Sequence, residues 1–149
     1  MRLCQIYVST MYTYPYPRPA VTVDAILISN QQSVLLIERG REPFKGKWAL
    51  PGGFVELDEE LDKACRRELE EETGIRVGEL KQFRAYGAVN RDPRHRTISV
   101  LFYAFTDHEL LASAGDDAAK AQWFPLHQLP ELAFDNQQIL EEFKAEILK

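Results

Sequence analysis

Cysteine is nearly absent from this chain: Cys4 and Cys65 are the only two in 149 residues, and no CxxC or Cys/His cluster accompanies them. That excludes a disulfide framework and a structural zinc site, and it fits a reducing compartment. Long apolar runs are missing as well. None approaches the ~20 residues of a membrane span, and the N-terminal MRLCQIYVSTMYTYPYPRP lacks the continuous apolar centre of a secretory signal. Positive charge is in deficit, with 18 Lys+Arg against 23 Asp+Glu and a formal net charge of −5. A surface of that sign repels a nucleic-acid backbone, and an acidic protein that handles phosphates needs a divalent cation or a local arginine cluster. The composition therefore predicts a cytoplasmic protein whose partner is a small molecule, with neither nucleic acid nor membrane.

What remains is an ordinary globular composition, 45% hydrophobic and 28% charged, in a length suited to one domain. Residues 3–8 read as a short strand. The segment after them, with prolines 15, 17 and 19, is extended, so residues 1–18 form an N-terminal arm. VTVDAILIS (21–29) and SVLLIE (33–38) read as strands joined by an Asn-Gln-Gln turn. A loop with short extended pieces leads to a helix expected from Asp58 to Thr73, stopped by Gly74. Strands follow over 79–88, 97–106 and AQWFPL, and a last helix begins near Asp135 with Ile139, Leu140, Phe143, Ile147 and Leu148 as its apolar stripe. Many strands and two helices predict an α/β single domain, a mixed central sheet packed by helices.

Within the first helix, RRELEEETG collects Glu68, Glu70, Glu71 and Glu72. Such a run is usually a solvated face. Winding it at ~100° per residue gives another result. Leu61, Ala64, Cys65 and Leu69 make the apolar stripe, and Glu68 and Glu72 fall inside it. Glu71 lies on its edge, four residues from Arg67. Asp62, Lys63, Arg66, Glu70 and Thr73 take the wet side. Two carboxylates on a core-facing stripe are costly unless neutralised. Two lysines or arginines would serve. So would a hard divalent cation, whose preferred ligands are carboxylate oxygens, waters and phosphates.

The residues upstream extend the pattern. From Gly53 the chain reads Gly, five residues, Glu59, seven residues, then Arg67-Glu68-Leu69-x-Glu71-Glu72-x-Gly74-Ile75. This resembles the Nudix box of nucleoside-diphosphate-linked hydrolases, with every defining position filled. The segments RPAVTVDAILI, ERGREPFKGKWALPGGFVE and NRDPRHRTISVLF are similar to those of the short ADP-ribose pyrophosphatase branch, over about Arg18 to Leu140. The last segment departs from the usual form, with His95 and Arg96 in place of Gly and His.

The resemblance implies a Nudix-like α/β/α sandwich and Mg²⁺- or Mn²⁺-dependent hydrolysis of ADP-ribose to AMP and ribose 5-phosphate. Position by position, it implies Glu68, Glu71, Glu72 and the carbonyl of Gly52 as metal ligands. Arg67 would orient the glutamates, and Glu59 would brace the helix start. The loop AGDDAAKAQW offers Asp116 and Asp117, with Glu109 nearby. Asp117 is the chosen general base, against an Asx turn before a strand. Arg39 and Arg94 are expected on phosphate and Asp92 on a ribose hydroxyl, against a simple hairpin turn with solvated arginines; Arg91 and Arg96 are the other basic groups near the motifs. Trp48 and Phe54 read as core residues. Tyr12, Tyr14 and Tyr16 share one face of the arm, where Tyr16 would stack on adenine or the three would cover a homodimer partner. Cys65 reads as packed, and the three histidines have no ligand spacing.

Two other readings stay open. One is a domain that senses ADP-ribose without hydrolysing it; such a sensor would be expected to lose glutamates and to continue into a winged helix. The other is a Nudix hydrolase of nucleoside triphosphates or dinucleotides.

Overall fold

A computed structural model of the chain describes residues 13–115 and 118–149. The strand expected over residues 3–8, Tyr12, Asp116 and Asp117 lie outside the described residues. The first described residues, 13–19, run without regular structure into β1 (Ala20–Ser29). Then come β2 (Ser33–Arg39), β3 (Trp48–Ala49), β4 (Gly52–Phe54), α1 (Leu61–Thr73), β5 (Lys81–Tyr86), β6 (Thr97–Thr106), β7 (Ala118–Pro125) and α2 (Asn136–Glu146). Among the described residues, the expected strands appear within a few residues of their predicted bounds, except β7, which is longer than AQWFPL alone.

The sheet is mixed. β1 lies at its centre and pairs in parallel with β6 over its whole length, from Ala20 opposite Thr97 to Ser29 opposite Thr106. Its other edge is shared: Thr22, Val23 and Asp24 pair antiparallel with β4, while Ile28 pairs antiparallel with Val34 of β2. β2 carries β3 and β7, and β5 closes the far side against β6. The division of β1 between two partners positions the site, because it sets the Pro-Gly-Gly turn against the strand centre.

Side chains alternate across a strand, and β1 sorts its residues accordingly. Val23, Ala25 and Leu27 pack with Ala64, Cys65 and Leu69 of α1. Ile26 and Ile28 pack on the opposite face with Ile139, Leu140 and Phe143 of α2. The result is the expected α/β/α sandwich, with both faces of the central strands buried. Ile147 and Leu148 complete the α2 stripe, partly buried against the same cluster.

Three expectations need correction. Helix α1 begins at Leu61, three residues later than expected, because residues 56–60 are held in a turn where Glu59 Oε1 accepts the Glu56 N–H at 2.9 Å. Thr73, placed on the wet side by the helical wheel, is fully buried. Its hydroxyl donates to the Leu69 carbonyl at 2.6 Å and accepts from the Ile75 N–H at 3.2 Å, while the Ser113 N–H caps its carbonyl. The covering loop, distant in sequence, is what a wheel cannot see. Phe54 is not a core residue: it is 43% exposed, beside His95 and beneath the Arg94 guanidinium. Trp48 does pack, edge-on to Phe124 at 4.7 Å.

Candidate functional site

The site is built where β4, paired with the first half of β1, meets the second half of α1. Glycine at 52 and 53 is required by close approach rather than by unusual dihedrals. A Cβ at Gly53 would lie 2.5–2.7 Å from the Glu68 carboxylate, and one at Gly52 would strike the Asp24 carboxylate and the Val23 carbonyl. Gly52 donates its N–H to Glu72 Oε1 at 3.2 Å. The turn thus brings backbone against Glu68 and Glu72, the two glutamates that fall in the apolar stripe.

Arg67 joins the rest. Its Nε and Nη2 donate to the two Glu59 oxygens at 2.9 and 2.5 Å, and Nη2 also donates to the Phe54 carbonyl at 3.1 Å. Nη1 donates to Glu68 Oε1 at 2.6 Å and to Glu71 Oε2 at 3.3 Å. These side chains are largely withdrawn from water, from 14% exposed at Glu59 to 24% at Glu71. The hydrogen bonds to Glu59, opposed by burial and reinforced by Glu68, raise the Arg67 pKa. Charge neutralisation by an arginine, one of the two options for the buried glutamates, is therefore realised in part. Glu70 alone points away: it is exposed and pairs with Arg76 at 2.8 Å.

Among the described residues, no three acidic, histidine or cysteine side chains converge closely enough to chelate an ion in this arrangement. The donor set nonetheless fits a hard cation. Glu68 and Glu72 lie against the Gly52–Gly53 turn, Arg67 links Glu68 to Glu71, and carboxylate and carbonyl oxygens are the ligands such a cation prefers. Gly115 brings a further loop to the same helix end. Its N–H caps the Glu72 carbonyl at 2.9 Å, and a Cβ there would collide with the Glu71 carbonyl.

Sequence reasoning missed Asp24. It sits on β1 opposite Gly52, accepts a hydrogen bond from the Ser99 hydroxyl, and has its pKa raised to about 6. Burial is the main cause; Ser99 and Arg91 oppose it, and Asp135 and Glu68 add to it. The signal was available as a lone acid within the apolar run VTVDAILIS. The Arg91–Asp135 pair was also missed. Arg91 Nε and Nη2 donate to Asp135 at 2.9 and 2.7 Å, with the Arg91 side chain only 5% exposed, so it is committed to tying the β5–β6 turn to the start of α2. Their separation of 44 residues hides that contact from sequence.

The expected substrate residues separate into groups. Arg39 donates to the Pro43 carbonyl at 2.7 Å. Burial and the neighbouring Arg94 lower its pKa, with Glu72 and Asp92 acting the other way. Arg39 and Arg94 both stand beside the Phe134 ring, 4.9 and 5.7 Å from its centroid. Asp92 is buried and chelates Arg94 through both oxygens, at 3.0 and 2.8 Å, while also accepting the Arg94 backbone N–H at 2.9 Å. Burial opposes its ionisation, but the Arg94 bonds prevail and hold the carboxyl below the usual range. Arg96 is occupied with the Gly87 and Ala88 carbonyls. Tyr16 is exposed, and the described contacts do not join it to the cluster. Cys65 is packed as expected, its thiol pushed up by burial.

Comparison with known proteins follows this geometry. Residues 18–145 match the NUDIX domain. The chain is 44% identical over 128 residues to an ADP-ribose pyrophosphatase of Methanocaldococcus jannaschii, covering 86% of this chain and 75% of that protein. It is 34% identical to an ADPR-responsive transcriptional repressor, NtrR, of Acinetobacter baylyi; the match covers 93% of this chain but only 58% of the repressor. A solved NUDIX domain of Shewanella oneidensis NrtR, complexed with ADP-ribose, superposes with a TM-score of 0.82 at 31% identity, covering 89% of this chain and 90% of that one. The chain belongs to the Nudix family of pyrophosphohydrolases.

Proposed function

We propose that the protein hydrolyses ADP-ribose at its diphosphate, adding one water to give AMP and ribose 5-phosphate, with Mg²⁺ or Mn²⁺ as cofactor. The observation that carries this reading is the Gly52–Gly53 turn set against Glu68 and Glu72, with Arg67 fixing Glu68 and Glu71 beside it. The 44% identity to an ADP-ribose pyrophosphatase supports the substrate. Glu68, Glu71, Glu72 and the Gly52 carbonyl would hold the cation. When bound, it neutralises the diphosphate and lowers the pKa of bound water. Arg39 and Arg94, both beside the Phe134 ring, bind the phosphate oxygens, and Arg67 keeps the glutamates aimed. Asp117, two residues beyond the Gly115 contact with Glu72, is the proposed general base. Asp92 serves the ribose by fixing Arg94 more than by touching it, since both its oxygens are engaged.

The second reading is an ADP-ribose sensor, supported by the match to the transcriptional repressor. The complete glutamate set favours turnover. We place the protein in the cytoplasm, from its near-absence of cysteine, and among the described residues no helix is long and apolar enough to cross a membrane. A homodimer through the tyrosine arm is the proposed assembly.

Chromatography of products from a nucleotide panel with Mg²⁺ tests the substrate. AMP and ribose 5-phosphate in equal amounts are expected from ADP-ribose. Intact ADP-ribose beside a hydrolysed triphosphate would assign the protein to another Nudix activity, and tight binding without turnover would favour the sensor.

A further inference from the structure

A cavity of about 550 Å³ is bounded by Phe44, by residues 88–91 and Pro93 of the β5–β6 turn, and by the start of α2. That volume lies within the roughly 300–1,000 Å³ of small-molecule sites. The box motif does not account for it, and the chemistry of its walls is specific. Phe44 and Phe134 meet edge to face with centroids 4.8 Å apart. Both hold left-handed backbone conformations, φ 63° and 51°. Such angles are costly for aromatic residues, and strain of this kind concentrates at ligand clamps. Val89, which is 69% exposed, and Pro93, also open to solvent, line the same cavity, so apolar surface faces water there too.

The cavity has little cationic charge to offer. Among the described residues its one lining cation, Arg91, is bound through two hydrogen bonds to Asp135, which also lines it. A phosphorylated ring would leave its charges unpaired there. Polar capacity is present instead at the rim, where Asn90 and Gln138 present amides that both donate and accept. Gln138 already places one N–H on Glu142 at 2.9 Å. The cations beside Phe134 are held by other groups: Arg39, 4.9 Å from the ring centroid, donates to the Pro43 carbonyl, and Arg94, 5.7 Å from it, is held by Asp92. Contacts lead from Glu68 to Arg67, from Arg67 to the Phe54 carbonyl, and from the Phe54 ring through Arg94 to Phe134.

We propose that this cavity takes the nucleobase of the substrate, a flat heteroaromatic ring packed against the Phe44–Phe134 pair beside Val89 and Pro93, with its polar edge read by Asn90 and Gln138. A base has two apolar faces and a hydrogen-bonding rim, which is the pattern the walls present. This deepens the proposed hydrolase reading and rests on it. It makes the base, more than the second sugar, the part of the substrate beyond the diphosphate that the enzyme selects.

Product binding separates the two claims, because AMP carries the base and ribose 5-phosphate does not. Calorimetry on the full chain with Mg²⁺ should show AMP binding at least about 10-fold tighter than ribose 5-phosphate, since stacking on an aromatic side chain is worth about 1–3 kcal/mol per base. Phe134→Leu should erase most of that difference while leaving ribose 5-phosphate affinity unchanged. Should the strained backbone make that variant unstable, Val89→Gln, at an exposed position, should weaken AMP severalfold and ribose 5-phosphate not at all. Equal affinity of the two products would overturn the inference. So would a loss of AMP binding on Tyr16→Ala or Phe54→Ala that neither cavity variant reproduces. ADP-ribose hydrolysis persisting with that result would leave the hydrolase reading standing. Failure to hydrolyse ADP-ribose would sink that reading while the AMP comparison still reported on the cavity.

Discussion

Glu70 and Glu72 are two residues apart and differ in everything that matters for the site. Glu72 faces Gly52 and accepts its N–H; Glu70 is exposed, on Arg76. Glu72→Gln should lower turnover by about 10²–10³-fold or more, the scale of losing one preorganised charge interaction at a reacting phosphate. Glu70→Ala should stay within about 0.5 kcal/mol in stability and be near wild type in rate. Steady-state kinetics on both variants check this, and a comparable loss in the two would show that the helix phase is misassigned. Asp24 gives a pH prediction. Its folded pKa, about 6 against an ordinary 3.8, means the folded state binds the proton more tightly than the unfolded state. Its contribution to stability is therefore complete below about pH 4, declines as pH rises, and is gone above about pH 6. In EDTA, Asp24→Asn should raise the unfolding free energy at pH 7–8 by up to about 3 kcal/mol and do little at pH 4. Urea titrations at the two pH values measure it, and equal effects at both would refute the assignment. Glu68 and Glu72 were legible in sequence because periodicity alone aims them. Asp92 was legible only as a polar turn residue, since its partner depends on how Arg94 folds back.

At the scale of elements, the site is one contact between a turn and a helix. Gly53→Ala and Gly52→Ala separate its two sides. The new Cβ at 53 meets the far end of the Glu68 side chain, which can swing aside. The fold should survive with only a few degrees' loss in Tm, while turnover falls about 100-fold, as expected when a ligand-bearing group is displaced by about 1 Å. The new Cβ at 52 meets the Val23 backbone carbonyl as well, so β1 and β4 must separate. Gly52→Ala should therefore lose stability markedly more than Gly53→Ala, by thermal unfolding; the reverse order would contradict the close approach. The elements themselves were largely legible. The alternation in VTVDAILIS and TISVLFYAFT marks β1 and β6, and Gly74, at φ 72°, ends α1 where expected. What was not legible was register. Nothing local says that β1 divides its edge between β4 and β2, yet that division sets Gly52 against Asp24.

For the molecule as a whole, two apolar layers on opposite faces of one sheet hold the site rigid without contributing to its chemistry. α1 supplies the glutamates from one layer. The loop before α2 supplies Phe134 and Asp135 to the cavity. Long-range pairs such as Arg91–Asp135 lock that junction, and they are the features sequence could not reveal. The central claim is that the glutamate array on this frame works through a divalent cation. Its most direct test is the rate of AMP release from ADP-ribose by the intact chain, freed of metal with EDTA and then titrated with Mg²⁺. The account predicts that release stops in EDTA and returns, saturably, as Mg²⁺ is restored. Undiminished release in excess EDTA would contradict it.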